Sequence, residues 1–364
     1  MGRRPGQDKD HRCLGKSRGD KRQGDIMAFS DIIGQKELKE RLGKTIGQVS
    51  ARSFLFTGPE GIGKHTIGRE LARAFLCEDP GADGSCGKCP SCTYFNAGTH
   101  PDMKYFETDE GKKTLSVATM REKLIPDTAI APQISKKKVY MVNMDNIEIK
   151  YQNLLLKVLE EPPAGVVFIL LCTDSANVLP TILSRASEYK ISPYSDDETF
   201  EILKSNDGEG LPEDKLRFIA TFSAGIPGKG MTLLEDETFN EEREEVFSFL
   251  TGIPEKGYTD LLYDDYALFD KEQDKMEEIL LIMMWFLGDM AALLSSAHPD
   301  NIKNRDKTSE IKAFLAKNKG ITLINMSNAA QAVTDLNRDI RSRVSFESAC
   351  CGMLLKLKKE FGGK

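Results

Sequence analysis

The chain has 364 residues, with 50 Lys plus Arg against 56 Asp plus Glu, 40% hydrophobic and 29% charged. That length allows two or three domains with sizeable cores, and the composition excludes a collagenous, fibrous or wholly disordered chain. The net charge of −6 argues against a generally basic, DNA-coating protein, although a local basic patch would still be compatible with it.

Residues 1–26 carry eight Lys or Arg and almost nothing to bury, so they are expected to be a disordered basic extension ahead of a second start at Met27. They lack the apolar centre of a secretory signal, which places the chain in the cytoplasm. From Met27 to about Ser195, short apolar runs alternate with helical ones, the pattern of a parallel sheet flanked by helices. Ser53–Thr57, Val139–Val142 and Val166–Leu171 are predicted strands, because continuous apolar runs suit strands buried on both faces. Helical spacing recurs at Ile67, Leu71, Ala74 and Phe75, and again at Leu155, Val158 and Leu159 before Pro162-Pro163 stops that helix.

Beyond Ser195 the strand signals disappear. A small helical unit runs to about Asp236, interrupted at Gly225-Ile226-Pro227-Gly228. An acidic stretch, Glu235 to Glu245, leads into long helices that include Met276–Leu294 and a segment carrying Ala329, Val333, Leu336 and Ile340. The most apolar run, Ile279–Leu294, is broken by Gly288 and Asp289 and is shorter than the roughly 20 residues of a membrane span, so it reads as a buried helix. The predicted domains are an α/β domain over 27–195, a helical lid over 196–240 and an all-helical domain over 241–364.

Between the first strand and its helix lies Gly58-Pro59-Glu60-Gly61-Ile62-Gly63-Lys64-His65-Thr66. A Gly-x-x-x-x-Gly-Lys-[Ser/Thr] loop in this context wraps N–H groups around phosphates, its Lys reaching the terminal oxygens and its hydroxyl binding Mg²⁺. Gly58, Gly63 and Lys64 are in place. The hydroxyl position holds His65, a poor ligand for a hard cation, and Thr66 comes one residue late, about 100° round the helix. The strand Val139–Val142 ends in Asn143-Met144-Asp145, where a nucleotide hydrolase needs carboxylates for Mg²⁺ and the attacking water. The loop is therefore expected to be degenerate, with ATP binding in doubt and no ATP hydrolysis by the chain alone.

Cys77, Cys86, Cys89 and Cys92 crowd into a segment rich in Pro and Gly. In a reducing compartment this spacing favours a metal over disulfides. Four thiolates suit structural tetrahedral zinc; iron–sulfur ligation uses similar spacings. His100 is a spare nitrogen nearby, and the other four cysteines read as ordinary thiols.

Five motifs then follow in a fixed order: Phe29-Ser30-Asp31-Ile32-Ile33-Gly34-Gln35, the phosphate loop, the four-cysteine insert, Leu155-Leu156-Lys157-Val158-Leu159-Glu160-Glu161-Pro162-Pro163, and Leu179-Pro180-Thr181-Ile182-Leu183-Ser184-Arg185. Together they resemble the bacterial DNA polymerase III clamp-loader subunits of the AAA+ class. The resemblance implies an AAA+ domain, a lid and a C-terminal oligomerisation collar, towards which Leu336–Ile340 and Phe346-Glu347 are weakly similar. His65, Asn143-Met144 and Gly225-Ile226-Pro227-Gly228-Lys229, which lacks the expected γ-phosphate-sensing arginine, align the chain with the delta-prime type. The implied partners are the gamma/tau and delta subunits, the sliding clamp and primer-template DNA. The implied role of Arg185 is an arginine finger reaching a neighbour's ATP, although Ala186 stands where the family carries Cys. Two rivals stay open: an active gamma/tau-like ATPase in which Thr66 and Asp145 substitute for the displaced groups, and a free nucleic-acid-binding module using the basic tail and the cysteine loop.

Overall fold

A computed structural model describes residues 29–46, 53–109, 112–206, 210–295, 302–342 and 344–362. The basic extension 1–26 lies outside these residues. Contacts divide the chain into two compact units. The first runs through Asn206 and includes Ser223–Lys229, and the second comprises 207–222 and everything from Gly230 onward.

The first unit is built on five parallel strands, β1 (Ser53–Thr57), β2 (Met103–Phe106), β3 (Lys138–Asn143), β4 (Val166–Cys172) and β5 (Ser187–Lys190), in the order β2-β3-β4-β1-β5. Every residue of β1 and β4 is buried, as expected for central strands covered on both faces. The register pairs Phe54 with Ile169 and Met141 with Ile169, so alternate residues meet on one face. Phe54, Phe56, Met141, Ile169 and Leu171 pack with the helices α1 (Lys36–Ile46) and α2 (Lys64–Leu76). Leu55, Tyr140, Val142, Phe168 and Leu170 form the opposite core with Leu115–Leu124 and Leu155–Leu159. Two strands were not predicted, β2 and β5. They are the edges of the sheet and bury one residue each, Met103 and Tyr189, so their short polar-apolar runs resemble loops.

A short helix, α3 (Pro90–Asn96), closes the cysteine insert. The region after Ser195 is helical, as expected: α4 (Asp196–Asn206), α5 (Glu213–Phe222) and α6 (Pro227–Glu235).

In the second unit, the acidic stretch forms the start of α7 (Glu237–Gly252), N-capped by Asp236, whose carboxylate accepts the Thr238 N–H at 2.9 Å. Next come α8 (Met276–Leu294), with the predicted bounds, then α9 (Thr308–Lys317), α10 (Leu323–Arg341) and α11 (Phe346–Phe361). Asp289, in the middle of the apolar α8, is 1% exposed and accepts the N–H groups of Lys303 and Asn304 and the Asn304 amide at 2.6–2.8 Å. Asn304 in turn accepts from Arg243, which also forms a two-pronged pair with Asp306 at 2.6 and 2.8 Å. A buried charge needs such partners, and these tie α7 and α8 to the segment before α9. Among the described residues, no helix is long and apolar enough to cross a membrane.

Candidate functional site

The phosphate loop joins the C-terminal end of β1 to the N-terminus of α2. Gly63 sits at the helix N-cap with φ 99°, and no side chain caps the first turn, which leaves a cradle of N–H groups of the kind that binds anions. Gly61 has φ 77°, and a Cβ there would lie 3.2 Å from the Gly228 Cα. Its carbonyl accepts the Gly228 N–H at 2.9 Å. The glycine-rich first turn of α6 is therefore a close backbone seat against the loop.

Lys64 turns back on the loop. Its ammonium donates to the Gly58 and Pro59 carbonyls at 2.6 and 2.9 Å. Burial lowers its pKa, an effect that Asp145 opposes. The imidazole of His65 lies 3.0 Å from Glu107 and stacks on Tyr105 with ring centroids 5.9 Å apart. The bond from His65 holds the Glu107 carboxyl below its ordinary range. At the end of β3, Asn143 caps the Asp145 N–H at 3.1 Å. The Asp145 carboxylate is bonded by the Thr173 N–H at 2.8 and 3.1 Å and by its hydroxyl at 3.0 Å.

Arg185 follows the short helix Pro180–Leu183. Its guanidinium donates to the Thr181 carbonyl at 2.6 Å and the Ser184 hydroxyl at 3.2 Å, and pairs with Glu160 at 2.7 Å. The pair is partly solvated, with Arg185 33% and Glu160 45% exposed, and a surface pair of this kind contributes only about 0–1 kcal/mol. Glu160 can therefore hold the guanidinium fork without trapping it against a stronger anion.

The four cysteines converge. Their sulfurs lie within 4.8 Å of one another, the Cys77–Cys89 pair at 3.9 Å, and none is disulfide-bonded. Four sulfurs about 2.3 Å from a tetrahedral zinc would sit roughly 3.8 Å apart, so the donor set fits a four-thiolate centre. Cys77 follows the last turn of α2, while Cys89 is the N-cap of α3 with Pro90 next to it. The Cys86 N–H points at the Cys77 sulfur at 3.2 Å and the Cys92 N–H at the Cys89 sulfur at 3.4 Å, both of which favour thiolates. The backbone N–H of Lys88 lowers the Cys86 thiol to about 7, whereas burial pushes Cys92 up to about 12.

The insert is anchored on several sides. Arg73 of α2 donates to the Ser85 hydroxyl at 2.7 Å, and the Ser30 N–H and hydroxyl bind the Asp83 carboxylate at 2.9 and 2.7 Å. His100 is buried. Its Nε2 meets the hydroxyls of Ser91 and Ser135 at 2.9 and 3.2 Å, and its Nδ1 accepts the Asp102 N–H at 3.1 Å. Both hydroxyls donate to the Leu76 carbonyl next to Cys77 at 2.7 Å. His100 thus braces the insert and stays outside the sulfur cluster.

Sequence reasoning missed Glu107, Thr173 and Glu160 as partners. Glu107 follows an unrecognised edge strand, and only the last of the three stood inside a quoted motif.

A phosphate loop at the end of a central strand of a parallel sheet, followed by helical units, defines an AAA+ nucleotide fold, here with His65 directly after the loop lysine. The family model described as DNA polymerase III, delta subunit matches residues 34–195. The DNA polymerase III subunit gamma of Buchnera aphidicola subsp. Schizaphis graminum is 30% identical over 317 residues, covering 80% of this chain and 85% of that protein. The subunit delta' of Pseudomonas aeruginosa is 36% identical over 136 residues, covering 37% of this chain and 41% of that one. A DNA polymerase III gamma subunit-related protein from Thermotoga maritima superimposes with a TM-score of 0.37 at 15% identity, covering 89% of this chain and 99% of that chain. The chain belongs to the family of DNA polymerase III clamp-loader subunits that includes gamma, tau and delta'.

Proposed function

We propose that this chain is a delta-prime-like subunit of the clamp loader, cytoplasmic, without ATPase activity of its own, and a supplier of Arg185 to the ATP site of a neighbouring gamma/tau subunit. One observation carries this reading: the groups that should hold Mg²⁺ are engaged elsewhere. His65 replaces the hydroxyl and is bonded to Glu107, and Asp145 is held by Thr173. Arg185, by contrast, keeps a partly exposed guanidinium, the group best suited to stabilise charge on a transferring phosphoryl. Residues 27–195 form the AAA+ domain, 196–240 the lid and 241–364 the collar that assembles with gamma/tau and delta. The complex acts on the sliding clamp and primer-template DNA. Cys77, Cys86, Cys89 and Cys92 hold one structural zinc.

The gamma-type relative that spans 80% of this chain supports a second reading, an active gamma/tau-like ATPase. Steady-state ATP turnover of the purified chain with Mg²⁺ separates the two. Background turnover supports the delta-prime reading, and turnover that disappears in Lys64→Ala overturns it.

A further inference from the structure

A groove of about 300 Å³ in the second unit lies between α7, the turn of helix Tyr266–Lys271 and the start of α8. The acidic stretch 235–245 lines one side of it, and none of the five ordered motifs reaches it. Its floor is apolar: Val246, Phe249, Phe269 and Ile279 are each under 9% exposed, while Leu268 stands on the rim at 38%. Its walls are acidic. Glu241, Glu242 and Glu245 come from α7 and Glu272 from the opposite side, against the single cation Lys275.

Lys275 is paired with Glu242, so these two charges cancel. Glu241, Glu245 and Glu272 carry no ion pair among the described residues and leave the groove net negative. Glu241 and Glu245 are one helical turn apart, where like charges repel and destabilise a helix. A cation seated between them would relieve that repulsion. An apolar floor of this size admits one or two large side chains, and an acidic rim steers and orients a basic partner.

We propose that this groove docks a basic amphipathic helix of a partner protein, with an apolar side chain on Phe249 and Phe269 and Lys or Arg one turn away against Glu241, Glu245 and Glu272. Laying the apolar face of a helix into such a groove is a common mode of peptide recognition. The small contact implies a transient complex with a Kd of about micromolar order.

The probe is a labelled synthetic helical peptide with Leu along one face and Lys on the other, titrated into the full chain by fluorescence anisotropy. Binding is expected, and it should weaken at least about tenfold, or about 1.4 kcal/mol, in Glu241→Lys/Glu245→Lys and in Leu268→Asp. Both variants alter exposed positions, and their melting curves confirm folding. Raising salt from about 0.1 M to about 1 M shortens the screening length from about 10 to 3 Å and should weaken binding too. Equal binding of a peptide with Ser in place of Leu would reduce the contact to non-specific charge attraction and overturn the proposal. So would unchanged affinity in both variants. Self-association of the chain that Leu268→Asp abolishes would make a second copy the occupant and equally overturn it.

Discussion

In the proposed function a single imidazole, His65, changes what the phosphate loop can do. The glycines and lysine of the loop were legible because each residue type is demanded by a backbone or phosphate contact at a fixed spacing. Where the side chains turn instead was not legible. Nothing in the sequence announces that Lys64 turns back on the Gly58 and Pro59 carbonyls of its own loop, or that Thr173 holds Asp145, a pair brought together by the neighbouring strands β3 and β4. On the proposed reading two Mg²⁺-binding groups are missing independently, so restoring one is not expected to restore the other. His65→Thr returns a hydroxyl to the loop but leaves Asn143 and Met144 at the end of β3. Its ATP turnover should stay within about twofold of background, whereas equilibrium nucleotide binding with Mg²⁺ should tighten. Turnover that rises by an order of magnitude or more in His65→Thr would show that Asp145 already serves as the missing carboxylate.

Elements built on continuous apolar runs were predicted to within a residue or two: β1, β3, β4 and α8 have one or both faces committed to a core, so pattern and structure coincide. The edge strands β2 and β5 were not, since an element half exposed to solvent carries half the signal. The cysteine insert was legible as a ligand set by its spacing, but its bracing by Arg73, Asp83 and His100 was not, because those bonds join segments that only the fold brings together. The insert should bind one zinc per chain, measured by metal analysis, and release it on acidification as protons compete for the thiolates. Cys89→Ser removes a ligand and the sulfur cap of α3 together. It should lose the metal and raise amide exchange across residues 77–96, with little change in α8 or α10. Iron in place of zinc would refute the assignment. In the helical unit, the corresponding device is Arg243, 5% exposed and bonded to Asn304 and Asp306. Arg243→Ala leaves the buried Asn304 and the partly buried Asp306 short of donors, and breaking a buried pair from one side costs about 3–5 kcal/mol. Urea unfolding should show a loss of that order, against little change for the exposed Lys317→Ala.

At the level of the whole molecule, the chain folds into two compact units, each with its own buried residues. The phosphate loop, the cysteine insert and Arg185 all belong to the first. A substitution at Arg185 removes one charge-assisted contact from the first unit's surface, so under the proposed function its effect is expected in the assembled complex and not in folding. Arg185→Ala should co-elute with gamma/tau and delta on size exclusion and should melt within a degree or two of the parent, because the Glu160 pair contributes about 0–1 kcal/mol. Trans-acting arginines contribute about 10³ to 10⁵ in rate where a single site is measured. A clamp loader has several ATP sites, so total ATPase should fall only in part while clamp loading falls further. Arg185→Lys should rescue poorly, since an ammonium keeps the charge but not the planar fork. Glu160→Gln separates orientation from charge: it keeps a hydrogen-bond acceptor for Arg185 and removes the competing anion, so loading should be retained. Unchanged ATPase and loading in a correctly assembled Arg185→Ala complex would leave Arg185 and Glu160 as a surface ion pair with no part in the neighbour's chemistry.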